Sequence, residues 1–548
     1  MVRRTLTDAP VRDMAERLHD LLLAPAHEQA GRIALRQAGN PAALLRYEQL
    51  AEEVERTAAA LLDQGLEPDD RVAVYLEKRP EAVVSLFAAA AAGGIAVPIN
   101  PVLKPAQVGH ILRDAGARFL ITSAARCQPL QAELPHCPTL GHVWWVEDAP
   151  APDALPRGIA GHRWNQRPRC APEPRPRRIE HDAAMLLYTS GSTGLPKGVA
   201  LSHRNLTAGA ASVVAYLEND AEDRILAALP LSFDYGFSQL TTAFMVGAEV
   251  VLHDYLLPRE VPQKVAEHGI TGLAGVPPMW FDLAALPWPA AAHTHLRYVT
   301  NSGGALPRPT LEALRRQLPE AKLYLMYGLT EAFRSTYLPP EELDARPDSI
   351  GRAIPNAEVQ VVRPDGSACA PYEHGELVHR GPQVALGYWN APEATAERFR
   401  PAPNRPAELP SREYAVWSGD TVYADEQGFL YFVGRTDELI KTSGYRVSPQ
   451  EIEAAVLEIP GVQECVAIGL PDPRLGQRIA VVIATDAGTG IDAETIRQAC
   501  RSRLPSFMVP ETFRIQGHGL PRTANGKIDR TALRHHLLDT EAREHAAP

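Results

Sequence analysis

From Tyr47 to Leu66, "YEQLAEEVERTAAALLDQGL" places apolar residues every three or four positions, the period of a helix with one buried face. The pattern then alternates between short apolar runs and further helical stretches. "RVAVYL", "GIAVPIN" and "ARFLIT" read as strands, separated by an alanine-rich helix and by "PAQVGHILRDAG". Strands spaced by helices of this length predict βαβ units and a parallel sheet covered on both faces. The alternation resumes from Ala183 to about Tyr327, with "RILAALPL", "GAEVVLHDY" and "AKLYLMYG" as strands. From "IPNAEVQVV" and "GELVHRG" onward the chain becomes β-rich with Gly and Pro punctuation, and its last hundred or so residues carry their own small βα pattern. At 548 residues the chain exceeds what one hydrophobic core supports. The predicted fold is α/β. Residues 1–436 form a large N-terminal domain of parallel-sheet αβα subdomains plus a β-rich subdomain, and residues 437–548 form a small α+β C-terminal domain.

Three stretches interrupt this pattern. The run from Ala82 to Ile99 approaches membrane-spanning length, but Gly93-Gly94 and Pro98 divide it into a buried helix, a turn and a short strand. The first 25 residues mix Asp and Glu with apolar positions, so an amphipathic helix is expected there rather than a signal peptide. About Ala149 to Arg178, Pro- and Arg-rich without apolar period, is expected to be a solvated surface excursion. A net charge of −11 argues against a nucleic-acid or anionic-membrane surface. Six scattered cysteines without a CxxC read as reduced structural thiols, and the expected compartment is the cytoplasm.

Tyr188 to Ser202, "YTSGSTGLPKGVALS", sits between two strand-like runs, with Ser202 as the expected N-cap of a following helix. Gly191, Gly194 and Gly198 free backbone N–H groups to form an anion-binding concavity. Thr189, Ser190, Ser192 and Thr193 add hydroxyls, and Lys197 adds a positive charge. A Walker A loop needs GxxxxGK[ST] running directly into a helix, whereas here Pro196 precedes the lysine, Gly198 follows it and a strand comes next. Polyphosphate remains the natural occupant, beside the bland alternative of a Gly/Ser surface turn.

The same stretch resembles the phosphate-binding signature of the AMP-forming adenylating superfamily, which includes acyl-CoA synthetases, nonribosomal-peptide adenylation domains and luciferases. Four later segments resemble that family's motifs in order: "MYGLTEA" (Met326 to Ala332), "WSGD" (Trp417 to Asp420), "GRTDELIKTSGYRVSPQEIE" (Gly434 to Glu453) and "LPRTANGKIDR" (Leu520 to Arg530). "NSGGAL" and "GELVHRGPQVALGYWN" also match, and the resemblance covers roughly residues 15 to 535. A further likeness, over "YGLTEAFRSTYLPPEELDARPDSIGRAIPNAEV", is to a bacterial subgroup of acyl-CoA ligases that accompany exosortase A and exopolysaccharide gene clusters.

The resemblance implies that a carboxylate attacks the α-phosphorus of ATP, releasing pyrophosphate, and that a thiol then displaces AMP from the acyl-adenylate. It implies that Thr189 to Gly194 and Lys197 cradle the outer phosphates, Glu331 holds Mg²⁺, and Thr330 contacts the α-phosphate. Asp420 would accept from the ribose hydroxyls beside Arg435, and Ser302, Gly303, Gly304, Ala305 and Tyr327 would flank the adenine. Lys527 would reach the reacting carboxylate from a mobile C-terminal domain hinged at Asp437, and Lys441 and Gly444 would border the thiol tunnel. The acceptor would be CoA or a phosphopantetheinyl carrier protein. About twenty residues follow Lys527, so a carrier is expected in trans.

"LPLSFDYGFSQL" (Leu229 to Leu240) bears on the acid. Phe233-Asp234 resemble the "FDxS" of amino-acid adenylation domains, whose Asp pairs with an α-ammonium, although Gly236 stands in place of the usual Ser. A carboxylate buried in a pocket calls for a cationic partner, which tilts the reading toward an amino acid over a plain acyl or aryl acid. The alternative is that Asp234 caps a helix. By the same resemblance Tyr235, Ser238, Thr300, Ser302, Met326, Arg334 and Ser335 would line the acid pocket. Arg334 would either pair with Asp234 or meet a second carboxylate on the substrate.

Overall fold

The computed structural model describes residues 16–147, 155–167, 176–190, 196–306, 308–406, 408–435, 440–447, 449–485, 491–517, 519–521 and 528–546. Gly191, Ser192, Thr193, Gly194, Asp437 and Lys527 lie outside them.

Two large sheets share one core. A nine-stranded sheet holds the parallel strands Glu249–Leu252, Arg224–Ala227, Gly272–Gly275, Tyr298–Asn301 and Lys322–Tyr327 side by side. An eight-stranded sheet is built on parallel strands Arg71–Tyr75, Ile95–Pro98, Ala117–Thr122 and Ala183–Ser190. Between them run helices Pro80–Ala91 and Asp234–Val246, buried nearly all round, and helix His203–Leu217, which leaves Arg204, Ala211 and Ala215 exposed along one stripe. Phe87 stacks against Phe237 at 6.0 Å and meets Phe244 edge-on at 5.4 Å, tying two of these helices together. Helix Tyr47–Asp63, which packs only one face inward, buries Leu50, Val54, Ala58 and Leu61.

The alanine-rich run divides as its glycines predict, into helix Pro80–Ala91, a turn at Gly93 with φ +83°, and strand Ile95–Pro98. No helix among the described residues is long and apolar enough to cross a membrane. A third, antiparallel sheet follows (Glu358–Val362, Gly375–Arg380, Phe399–Pro401, Tyr414–Ala424 and Leu430–Arg435). A fourth sheet, beginning at Ile440–Thr442 and centred on the long hairpin Val462–Asp472/Gly476–Thr485, builds the smaller C-terminal unit around its own core of Ile452, Val456, Val481 and Ile483.

The expected solvated excursion is corrected in its described part. Ala160–Arg163 is an edge strand, parallel to His142–Trp145. Arg167 is buried, with its guanidinium 2.6 Å from Glu53 and stacked on Trp164. These partners lie on helix Tyr47–Asp63 and in the preceding turn, where composition gives no sign of them. The five described cysteines form no disulfide.

Candidate active site

The carboxyl ends of the parallel strands open onto a cleft of about 680 Å³, the position at which doubly wound sheets hold their ligands. Strand Arg224–Ala227 leads to Phe233, Asp234 and Tyr235; strand Tyr298–Asn301 leads to Ser302, Gly303, Gly304 and Ala305; strand Lys322–Tyr327 leads to Thr330 and Arg334. All of these residues, with Met326 and Tyr327, line the cleft.

The strands that flank the glycine-rich stretch form an antiparallel hairpin, Ala183–Ser190 paired with Pro196–Ser202. Ser202 caps helix His203–Leu217, its hydroxyl accepting from Asn205 N at 3.1 Å. Helix Pro105–Ala115 supports the hairpin: the Tyr188 hydroxyl donates to Asp114 at 2.6 Å, and His110 Nε2 lies 3.2 Å from the Pro196 carbonyl. Tyr188 lies against Gly198, leaving tight room for a side chain there. Thr189 faces the cleft, and Ser190 pairs with Pro196 at the end of the hairpin nearest the glycine-rich stretch.

Strand Gly387–Tyr388 adds to the hairpin's outer side, opposite Ala200 and Val199. This places Tyr388 between Lys197, whose ammonium lies 5.8 Å from the ring centroid, and Glu331, which accepts the tyrosine hydroxyl at 2.6 Å. Burial pushes the Tyr388 phenol far above its ordinary range, so it stays a donor. Glu331 is 7% exposed in a short 3₁₀ turn, and its carbonyl accepts from Ala385 N at 2.8 Å. The turn closes at Phe333, buried with φ +54°, an uncommon conformation for a bulky residue that aims Glu331 and Arg334 different ways.

Asp420 is buried on strand Tyr414–Ala424, accepts a hydrogen bond from the Tyr327 hydroxyl, and pairs across the strands with Arg435. Glu331, Asp420, Ser238, Thr300 and Ser335 are buried next to residues of the cleft and do not line it. Thr300 Oγ1 lies 2.5 Å from the Tyr235 hydroxyl, so it sets the ring that does line the cleft.

Gly236 has a steric cause. A Cβ at this position would lie 1.9 Å from the Pro230 carbonyl oxygen, so serine cannot stand there with this backbone. Lys78 fixes the same turn, donating to the carbonyls of Ala228 at 2.6 Å and Leu229 at 3.3 Å, and burial lowers its pKa to about 8. Neither Lys78 nor Tyr388 was singled out by sequence reasoning. Tyr388 lay inside the matching "GELVHRGPQVALGYWN", whereas nothing around Lys78 signals a role.

The acid end holds two charges. Asp234 is 5% exposed and opens helix Asp234–Val246. Arg334 is 2% exposed, its guanidinium 4.7 Å from the Tyr235 ring centroid. The two form no ion pair with each other among the described residues.

From the smaller domain, the hairpin Ile440–Thr442/Tyr445–Val447 reaches the cleft. Lys441 lines it with its ammonium 4.1 Å from the Phe432 ring centroid. Gly444, at φ +79°, sits so close to Val276 that a Cβ would approach within 2.7 Å. Gln107 of the larger domain donates to Glu451 of the smaller one at 2.5 Å, and burial raises that carboxyl to about 7.

Comparison with known proteins agrees with this architecture. The model of the AMP-binding enzyme family matches residues 23–389, and that of the AMP-binding enzyme C-terminal domain matches residues 451–527. A long-chain-fatty-acid–CoA ligase of Bacillus subtilis (strain 168) is 30% identical over 532 residues, covering 91% of each chain. A linear gramicidin synthase polypeptide of Brevibacillus parabrevis is 32% identical over 492 residues, 89% of this chain and 6% of that one. Among solved structures, a double mutant of o-succinylbenzoate CoA synthetase from Bacillus subtilis, bound with its product analogue OSB-NCoA, is 26% identical with a TM-score of 0.78, covering 94% of this chain and 98% of that one. The same synthetase with its acyl-adenylate intermediate OSB-AMP, 27% identical over the same shares, gives 0.65. The chain belongs to the AMP-binding enzyme family. It is an AMP-forming acid–thiol ligase.

Proposed function

We propose that this ligase activates an amino acid as its adenylate and passes it to a phosphopantetheine thiol, on CoA or on a free-standing carrier protein. The observation that carries the substrate reading is Asp234, a carboxylate 5% exposed on the cleft wall. It stands in the first turn of a helix, where the dipole favours the charged form by about 0.3–1 kcal/mol. An α-ammonium arriving with the substrate at this wall meets a charge complementary to its own.

Adenylation asks the protein for positioning and charge neutralisation, since the attacking carboxylate is already an anion. The hairpin and Lys197 would hold the outer phosphates, with Gly191, Ser192, Thr193 and Gly194 supplying N–H and hydroxyl donors at its tip. Glu331, a buried carboxylate oriented by Tyr388 beside Lys197, fits a hard cation such as Mg²⁺. Bound there, Mg²⁺ would neutralise charge on the phosphate oxygens. Thr330 would meet the α-phosphate, Asp420 and Arg435 the ribose, Ser302 to Ala305 and Tyr327 the adenine, and Lys527 the charge that builds in the transition state. Phe233, Tyr235 and Met326 would enclose the side chain of the acid, with Ser238 behind them.

The higher TM-score against the CoA-product-analogue complex than against the adenylate complex supports reading the present domain arrangement as the thioester-forming one. Lys441 and Gly444 would then border the pantetheine path, and rotation about Asp437 would bring Lys527 in for adenylation.

The test is ATP–pyrophosphate exchange with each amino acid and its deaminated counterpart. Faster exchange with the amino acid is expected; faster exchange with the deaminated acids would sink the amino-acid reading and leave the ligase chemistry intact.

A further inference from the structure

The buried guanidinium of Arg334 meets no carboxylate among the described residues. Among the described residues it forms no ion pair, and its Nε atom, shut off from solvent, has no hydrogen-bond partner. Its neighbours are aromatic and sulfur-bearing. It lies over the Tyr235 ring, and Tyr216, whose hydroxyl meets Met326 Sδ at 3.0 Å, is close enough for its titration to feel the positive charge. A ring face returns only part of what a guanidinium loses when it leaves water. The backbone holds Arg334 there at some cost, because it follows the strained Phe333 and packs against Gly328. A cation kept in this way, on the wall of an open cleft, is complementary to an anion that arrives with the ligand. The planar fork of arginine suits a carboxylate in two-point contact.

We infer that the acid this enzyme activates carries a second carboxylate, which Arg334 receives at the Tyr235 end of the cleft while the first is adenylated at the phosphate end. The inference rests on the acid-pocket reading above. Tyr235 and Arg334 come from the nine-stranded sheet's side of the cleft, whereas the phosphate hairpin, with Thr189 and Pro196, comes from the other sheet. The substrate therefore spans the cleft, with its second anion pointing away from the phosphates, where like charges would repel. Joined to the reading of Asp234, the class is an acidic amino acid. Without that reading, it is a dicarboxylic acid.

The two readings separate in one factorial measurement. ATP–pyrophosphate exchange is followed for L-glutamate, glutarate, L-norvaline and pentanoate, which share five carbons and differ only in the amine and the distal carboxylate. The set is repeated with four- and six-carbon chains and with aryl counterparts, on the wild type, Arg334→Met and Arg334→Lys. The amine axis tests the Asp234 reading and the distal-carboxylate axis tests Arg334. The expected result is a kcat/KM ratio of about 10⁴ in favour of acids with the distal carboxylate over their neutral mates, the scale on which a site built for a polar group rejects its absence. That ratio collapses toward unity in Arg334→Met and is partly kept in Arg334→Lys. Thermal denaturation of each variant checks the fold. The inference is overturned if neutral acids are exchanged as well as or better than their acidic mates by the wild type. It is equally overturned if Arg334→Met lowers exchange of every acid by the same factor, which would assign Arg334 to the reacting carboxylate.

Discussion

The Tyr388 hydroxyl donates to Glu331 Oε1 at 2.6 Å, and the face of the same ring lies 5.8 Å from the Lys197 ammonium. One aromatic side chain thus links the carboxylate expected to hold the cation with the lysine of the hairpin expected to hold the phosphates. Tyr388→Phe keeps the ring and removes the hydrogen bond. Loss of such a supporting contact weakens metal affinity or activity by roughly 10- to 100-fold. The Mg²⁺ concentration needed for half-maximal pyrophosphate exchange is expected to rise; an unchanged Mg²⁺ dependence counts against Tyr388 as the residue that positions Glu331.

Gly236→Ala would drive a methyl group to 1.9 Å from the Pro230 carbonyl oxygen and push apart the turn that presents Phe233 and Asp234. Overpacking of this kind costs typically about 1–3 kcal/mol. Thermal denaturation should show a lowered Tm, alongside reduced pyrophosphate exchange. Gly141→Ala, where nothing lies within 4 Å of the added carbon, serves as the control and should move neither.

The two half-reactions should respond to different residues of the smaller domain. Lys527→Ala is expected to slow adenylation by roughly 10²-fold, the scale of a lost transition-state donor, while thioester formation from a supplied adenylate continues. Gly444→Ala combines a φ of +79° with a clash against Val276. It should slow the thioester step by roughly 10²-fold, the effect of about an ångström of misplacement, and spare pyrophosphate exchange. Asp437→Pro, by fixing φ, is expected to act like Gly444→Ala. Equal loss of both half-reactions in these two variants would remove the domain-rotation account.

Glu451 makes the contact between domains sensitive to pH. Its carboxyl titrates at about 7 when docked on Gln107, against an ordinary 4.5, because burial favours the neutral form. The docked arrangement therefore holds a proton that the undocked one releases. Its contribution is complete below about pH 4.5 and is lost as pH rises through about 7. The rate of thioester formation from supplied adenylate should fall across that window, and Glu451→Gln should flatten the profile. If the Glu451→Gln variant instead tracks the wild type across this range, the contact is excluded as the cause.

Local order reads out directly from the chain. The strand–glycine loop–strand pattern at Tyr188 to Ser202, the Ser202 cap and the division of the alanine run at Gly93 depend on neighbours a few residues away. Period and turn chemistry suffice to predict them. The reaction class was legible for a related reason: short motifs, read in order along the chain, resemble those of the family whose model matches residues 23–389.

The rest depended on residues far apart in the chain. Tyr388 reaches Glu331 across 57 positions, Lys78 reaches Ala228 across 150, and Gln107 reaches Glu451 across 344. The Pro- and Arg-rich stretch resembled solvated linker because nothing near Arg167 indicates that Glu53, 114 positions earlier, will receive it. Sequence also left Arg334 with two candidate partners. By itself the sequence determined the elements, the hairpin strands on either side of the glycine-rich stretch and the family's chemistry, which follow from local propensity and short motifs. Only the tertiary structure decided that Asp234 and Arg334 face the same cleft without pairing with each other, because distance between side chains on separate loops is set by the packing of two sheets and not by their spacing along the chain.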